Sequence, residues 1–315
     1  EIAQCLVGSE MCIRDSSIII PHKNIPDLLQ RCLDSIPRRD DIQIIIVDDN
    51  SNPQKVDFEN FPGLGDPCVE VYFTKEGKGA GYARNVGLKY AKGKWLFFAD
   101  SDDTYTSSFS KFLTDSKDLV ADVVYFKANL INNDVSKSPF FLMNYYITQY
   151  LYHGGALSDV KFGAWEPWNK MISRQLVVQN NILFDEIPSS NDKMFSLKVG
   201  EFAERVIVIE QYLYNYILRK NSIIHNRNSN RLFYSLSTSI NQNILYKRVG
   251  YKRCVFIPFL ILSNITLLTS RTFYLYLNYL CDFRINPFEG FFDFFIYFYY
   301  NLPYLKKQVF LFLFL

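Results

Sequence analysis

The chain lacks any C-x-x-C pair, and its six cysteines (Cys5, Cys12, Cys32, Cys68, Cys254 and Cys281) lie scattered through 315 residues. That scatter excludes a zinc knuckle and a disulfide framework, and it suits a reducing cytoplasm. An excess of charge of one sign is also missing. Lysine and arginine number 34 against 32 aspartates and glutamates, a net charge of +2, and basic residues gather only in short clusters such as Arg38-Arg39 and Lys247-Arg248. A chain built to wrap nucleic acid is therefore excluded as a first reading. No apolar run reaches the ~20 residues that cross a bilayer. The first sixteen residues have neither the basic start nor the continuous apolar stretch of a secretory signal.

Two phosphate-binding patterns are absent as well. No G-K-[ST] follows a glycine loop, so there is no Walker motif. Gly77-Lys78-Gly79-Ala80-Gly81 has the spacing G-x-G-x-G and follows a third strand, whereas the dinucleotide fingerprint is G-x-G-x-x-G after a first strand. Glycines here serve equally to permit a turn and a close helix approach.

What the chain has is an alternation of short apolar strands and helices. Residues 17–21 (S-I-I-I-P) form a continuous apolar run that predicts a buried strand. Ile25, Leu28, Leu29, Cys32, Leu33 and Ile36 recur at helical spacing, with Pro26 suited to a first turn. Further strands are predicted over 42–47, 69–73, 95–99 and 122–126, with a helix over 80–91. This order predicts an α/β fold with a mainly parallel sheet and helices on both faces, and such sheets bind ligands at the carboxyl ends of their strands. The polar clusters His22 to Asn24, Asp48 to Ser51 and Asp100 to Asp103 fall at those ends.

The last of these clusters, in W-L-F-F-A-D-S-D-D over 95–103, places three carboxylates within four residues. Carboxylates this close repel one another, and a divalent cation or a metal-bound phosphate relieves the repulsion. A solvated acidic turn that caps the next helix through Ser101 or Asp103 is the alternative.

I-I-I-P-H-K-N, then I-I-I-V-D-D-N-S, then G-A-G-Y-A-R-N-V-G-L-K-Y-A-K-G-K-W-L-F-F-A-D-S-D-D together resemble the nucleotide-sugar half of family 2 glycosyltransferases, which have the GT-A fold. The resemblance runs from residue 17 to about 222. It implies a metal-dependent, inverting transfer from a UDP-sugar to a hydroxyl of a growing surface glycan, by an enzyme of the hexosyl- or N-acetylhexosaminyltransferase class. By the resemblance, Pro21, Asn24, Asp48 and Ser51 shape the nucleotide site and Asp49 accepts a hydrogen bond from the base. Asp100 and Asp102 match the D-x-D element for ribose and a Mn²⁺ or Mg²⁺ ion on the diphosphate. Asp103 either assists or caps the following helix. Arg84 lies near the nucleotide or forms a structural ion pair.

Asp192, in S-S-N-D-K-M-F, matches the family's E-D position and is the implied general base, with Asp185 and Glu186 behind it. Asn191 stands where relatives carry glutamate. Trp168-Asn169-Lys170 resembles the family's W-N-K stretch, so Trp168 is expected as a sugar platform or acceptor wall and Trp165 as core. Tyr214, Tyr216, Arg219 and Ser222 follow the downstream pattern, with Arg219 expected either on the diphosphate or as a solvated charge. His22-Lys23 stands where relatives often carry an apolar residue and a tyrosine, so aromatic stacking on the base is lost there, and a phosphate contact from Lys23 is the expectation.

The rivals are a non-catalytic nucleotide-sugar-binding module of a glycan-synthesis complex and a nucleotidyltransferase. The predicted organisation is a foreign or disordered leader over 1–16, a nucleotide-sugar half over 17–128, an acceptor half over 129–225 and a helical region over 226–315. In that last region, 255–268 and 291–300 read as helices that pack on the catalytic unit or lie in a membrane interface at the cytoplasmic face, and the final F-L-F-L-F-L reads as a truncated end.

Overall fold

The computed structural model describes residues 15–131, 142–219 and 228–255, with isolated positions between 257 and 278. The expected leader, Ser222, the runs at 255–268 and 291–300 and the terminal F-L-F-L-F-L lie outside the described residues, apart from those isolated positions, Asp15, Ser16 and Val255.

In chain order the elements are β1 (Ser16–His22), α1 (Pro26–Asp34), β2 (Ile42–Asp49), β3 (Val69–Thr74), α2 (Ala80–Tyr90), β4 (Trp95–Phe98), β5 (Thr104–Tyr105), α3 (Phe109–Ser116) and β6 (Val123–Ile131). There follow α4 (Leu142–Tyr152), α5 (Leu157–Gly163), a 3₁₀ turn (Pro167–Asn169), β7 (Lys170–Ser173), α6 (Arg174–Gln179), α7 (Lys193–Phe202), β8 (Val206–Ile217) and α8 (Ser229–Arg248). The strands join in the order β3-β2-β1-β4-β7-β6-β8-β5.

The first half is parallel, β1 pairing with β2 and β4, and β2 with β3. Ile18, Ile19, Ile20, Ile44, Ile45 and Ile46 are all 0% exposed. Successive side chains on a strand point to opposite faces, so unbroken burial means that the sheet is covered on both. Each isoleucine removed from water in this way contributes roughly 1.5–3 kcal/mol. The strand order reverses at β1, and the crevice at such a reversal is where open α/β sheets bind ligands.

The second half refines the sequence expectation. β7 runs antiparallel to both β4 and β6, β5 runs antiparallel to β8, and β6 and β8 are parallel, so four of the seven strand pairs are parallel. The predicted fifth strand is thus separated from β4 by β7, a strand of four residues (K-M-I-S) too short to stand out in the sequence. In the C-terminal region α8 is helical as expected. Its Leu245 and Tyr246 pack with Phe162, Met194 and Leu197, which fixes α8 on α5 and α7. Among the described residues no helix is long and apolar enough to cross a membrane.

Candidate active site

The loops after β1 and β2 are locked together. His22 Nε2 accepts from the backbone N–H of Ile25 at 3.1 Å, so its Nδ1 carries the proton that it donates to Asp48 at 2.7 Å. Asp48 also accepts from the Ser51 backbone N–H at 2.9 Å and from its hydroxyl at 2.5 Å. Burial alone would raise the Asp48 carboxyl, but the bonds from His22 and Ser51 outweigh it and hold the group below its ordinary range. Ser51 Oγ in turn accepts from the backbone of Asn24, whose side chain accepts from the backbone of Asn52. Asn24 and Asn50 take left-handed conformations, with φ of 60° and 59°, which asparagine tolerates better than most residues. Pro21 is buried beside Val47 in the same register. Asp48 and Ser51 therefore build the turn.

That turn presents Asp49. Its Oδ2 accepts from the Gly79 backbone N–H at 2.7 Å and lies 3.4 Å from Lys23 Nζ. Its Oδ1 is buried with no hydrogen-bond partner. A buried carboxylate oxygen without a donor is costly, and a ligand N–H is the natural remedy. Gly79, the donor, has φ of 95°, a left-handed conformation that favours glycine. Lys23, 47% exposed, pairs with Asp49 across this rim.

α2 links this rim to the acidic one. A side chain at Gly81 would come within 2.1 Å of the Asp185 carbonyl, so glycine allows the helix to lie against the loop before α7. Asn85 bonds the backbone of Phe184 in both directions, at 2.9 and 3.0 Å, and reaches Glu186 at 3.2 Å. Arg84 donates to Asp100 at 2.6 Å and to Asn191 at 2.9 Å. The substitution that puts asparagine before Asp192 thus gives Arg84 an amide acceptor where glutamate would give a second carboxylate.

At the end of β4 the three acids have separate surroundings. Asp102 pairs with Arg219, and its backbone carbonyl accepts from Arg31 at 2.5 Å. Burial, then the Asp100 charge, raises the Asp102 carboxyl in spite of Arg219. Asp103 is 1% exposed and accepts from the Tyr214 hydroxyl at 2.9 Å and the Ile217 backbone N–H at 2.8 Å. Burial first, then Asp100 and Asp102, push it up to about 9. Asp103 caps no helix, because β5 follows it and α3 begins only at Phe109; it fastens β8 to the end of β4. Arg31 carried no sequence signal, since only the fold brings α1 beside β5.

Asp192 is half-buried at the start of α7 and makes no side-chain cap bond to the helix. Burial raises its carboxyl above the usual range against the pull of Arg84. Lys170, wholly buried, donates to the Glu166 carbonyl and to Asn169 Oδ1 at 2.7 Å. Burial lowers its ammonium to about 7, although Glu166 and Asp192 oppose the shift. Asn169 is likewise fully buried, so neither residue offers a surface to an acceptor. Trp168 is 4% exposed and stacks on Tyr214 and Tyr216 with ring centroids 4.8 and 5.7 Å away. Trp168 is thus core, and Trp165, half-buried, packs as expected against the Phe162, Leu197 and Tyr246 cluster and carries the Lys193 ammonium 4.4 Å over its ring.

Among the described residues no group of three or more His, Cys, Asp or Glu is arranged to hold a metal. The chain thus brings Asp100 and Asp102, which repel one another, to a rim with two arginines. That set fits Mg²⁺ or Mn²⁺ held through one or two carboxylates with substrate phosphates completing the sphere.

Residues 17–162 match the family model described as Glycosyl transferase family 2. Over that stretch, less than half of the chain, the protein is similar to family 2 glycosyltransferases. The "uncharacterized glycosyltransferase EpsJ" of Bacillus subtilis is similar to it, with 29% identity over 224 residues, 66% of this chain and 62% of the relative. The poly(ribitol-phosphate) beta-glucosyltransferase of Bacillus spizizenii is 30% identical over 212 residues, 65% of this chain and 32% of the relative. The chain thus spans less than two thirds of the length of either. Among solved structures, S. aureus TarS 1-349 in complex with UDP-GlcNAc superposes with a TM-score of 0.60 at 21% identity, covering 73% of this chain and 66% of that one. These findings bear out the expected GT-A fold and the reading of a family 2 transferase resembling surface-polysaccharide enzymes.

Proposed function

We propose that the protein transfers a sugar from a UDP-sugar to a hydroxyl of a growing surface glycan, with inversion at the sugar carbon. The observation that carries this reading is the buried, partnerless Asp49 Oδ1 on the same strand-end rim as Asp100 and Asp102. A single rim then offers an acceptor for a base N–H and carboxylates for a metal–diphosphate. The Bacillus spizizenii relative, a poly(ribitol-phosphate) beta-glucosyltransferase, and the UDP-GlcNAc complex of TarS support the substrate classes.

In this reading Asp49 orients the nucleotide, and Asp100 and Asp102 hold Mn²⁺ or Mg²⁺. When bound, the metal acts as a Lewis acid that neutralises charge on the leaving diphosphate. Arg84 and Arg219 keep the acids in place and add positive charge to the same side. Asp192 takes the proton of the acceptor hydroxyl. Its raised carboxyl suits that role, because a base works best with a pKa drawn towards the working pH. The place of action is the cytoplasmic side of the cell membrane, where nucleotide sugars meet a lipid-linked or polymeric acceptor. A thermal-shift panel of nucleotide sugars with Mn²⁺ tests the donor class, since a ligand bound to the native state raises its stability with affinity. UDP-sugars are expected to stabilise the protein; stabilisation by another nucleotide class alone would contradict the reading.

A further inference from the structure

Lys23 stands where the sequence loses the aromatic residue that relatives place beside the nucleotide base, and the structure turns that loss into a different kind of contact. Its Nζ lies 3.4 Å from Asp49 Oδ2. The two side chains differ sharply in exposure, 47% for Lys23 and 3% for Asp49. Asp49 Oδ2 is already satisfied by the Gly79 N–H at 2.7 Å, and Oδ1 is buried and free. An ammonium has three protons, and the 3.4 Å contact engages one of them loosely. Gly77 adds no bulk beside them: a side chain there would stand 3.6 Å from Lys23 Nζ and 3.5 Å from the Asn50 amide. The neighbouring Lys78 is turned away over the Tyr82 ring, at 4.9 Å.

We infer that Lys23 is a nucleobase-reading residue, which donates to a ring carbonyl adjoining the N–H that Asp49 accepts. The inference rests on the donor reading given above. Uracil carries its N3–H between two carbonyls, so a free carboxylate oxygen and an ammonium side by side match two neighbouring groups of its edge. Affinity at this position then comes from a charge-assisted hydrogen bond instead of stacking.

The test compares the wild-type chain with Lys23→Met and Lys23→Arg by titration with UDP, uridine, 4-thio-UDP and inorganic pyrophosphate. Lys23→Met is expected to weaken UDP and uridine by the same factor, on the order of tenfold for one hydrogen bond to a charged group. Pyrophosphate affinity stays unchanged, and Lys23→Arg, which keeps a charged donor, recovers most of the loss. Sulfur is a poor acceptor, so 4-thio-UDP is expected to bind the wild type less tightly than UDP and to bind Lys23→Met no less tightly than UDP does. Unchanged UDP affinity in Lys23→Met overturns the assignment alone. A loss confined to UDP and pyrophosphate, with uridine spared, also overturns it and makes Lys23 a phosphate contact. A wild-type chain with no affinity for UDP overturns the donor reading and the assignment with it.

Discussion

Arg84 donates to Asp100 at 2.6 Å from a largely buried position, and that ion pair joins α2 to the acidic end of β4. The other terminal nitrogen holds Asn191, so one guanidinium spans the acidic turn after β4 and the residue before the candidate base. Arg84→Met leaves a part-buried carboxylate without its cation. Breaking a buried pair costs about 3–5 kcal/mol, and the third of Asp100 that is exposed moves the expectation to the low end of that range. Urea denaturation reads the loss; a change within about 0.5 kcal/mol, as at an ordinary surface site, would mean that the pair does not organise the site.

Asp192→Asn separates chemistry from binding. The amide has nearly the same shape but takes no proton, and loss of a general base costs about 10²–10⁴ in rate. Turnover is expected to fall by that much with donor affinity unchanged, as measured by parallel kinetics and calorimetry. Near-normal turnover would move the base to Asp185 or Glu186.

Gly81→Ala tests the approach of α2 to the 185–191 loop. The added methyl would meet the Asp185 carbonyl at 2.1 Å, so the loop must shift. Overpacking of this kind costs roughly 1–3 kcal/mol. A lower melting temperature with reduced turnover is the expected result, and wild-type values for both would show that the loop yields freely.

Acid stability should depend on Asp122. Burial alone would raise this carboxyl, but the side-chain bonds from Arg205 and the backbone N–H groups of Arg205 and Glu204 outweigh it, and the net shift is downward. A carboxyl depressed in the folded state binds fewer protons there than in the unfolded chain. Its contribution is therefore full above the unfolded value of about 3.9 and is lost as pH falls through the folded value. Denaturation midpoints of the wild type should fall more steeply under acid than those of Asp122→Asn. Parallel slopes would remove Asp122 from the account.

These residues also mark how far the sequence could be read. The parallel half was legible because β1, β2 and β4 are unbroken apolar runs that stop at polar turns, and a strand buried on both faces has no other appearance. β5, with two residues, and β7, with four, carry too little pattern, and β8 mixes polar and apolar positions because its Glu210, Gln211 and Tyr212 are exposed. Asp103 looked like a helix cap only because the two residues of β5 after it are invisible as a strand. Trp168 and Trp165 differ in burial through their contacts with β8 and α8, which lie far along the chain. Lys23 and Asp49 are 26 residues apart, and only the parallel register of β1 with β2 brings them together.

Turnover reports on the proposed metal-dependent transfer from a UDP-sugar. The wild-type chain and Asp102→Ala are assayed with a panel of UDP-sugars and a polyol-phosphate or glycan acceptor, with Mn²⁺ or Mg²⁺ and with chelator. The account predicts that the wild type releases UDP together with a glycosylated acceptor only when metal is present, and that Asp102→Ala forms neither. Metal-linked donor binding without product, or release of pyrophosphate in place of UDP, would contradict it.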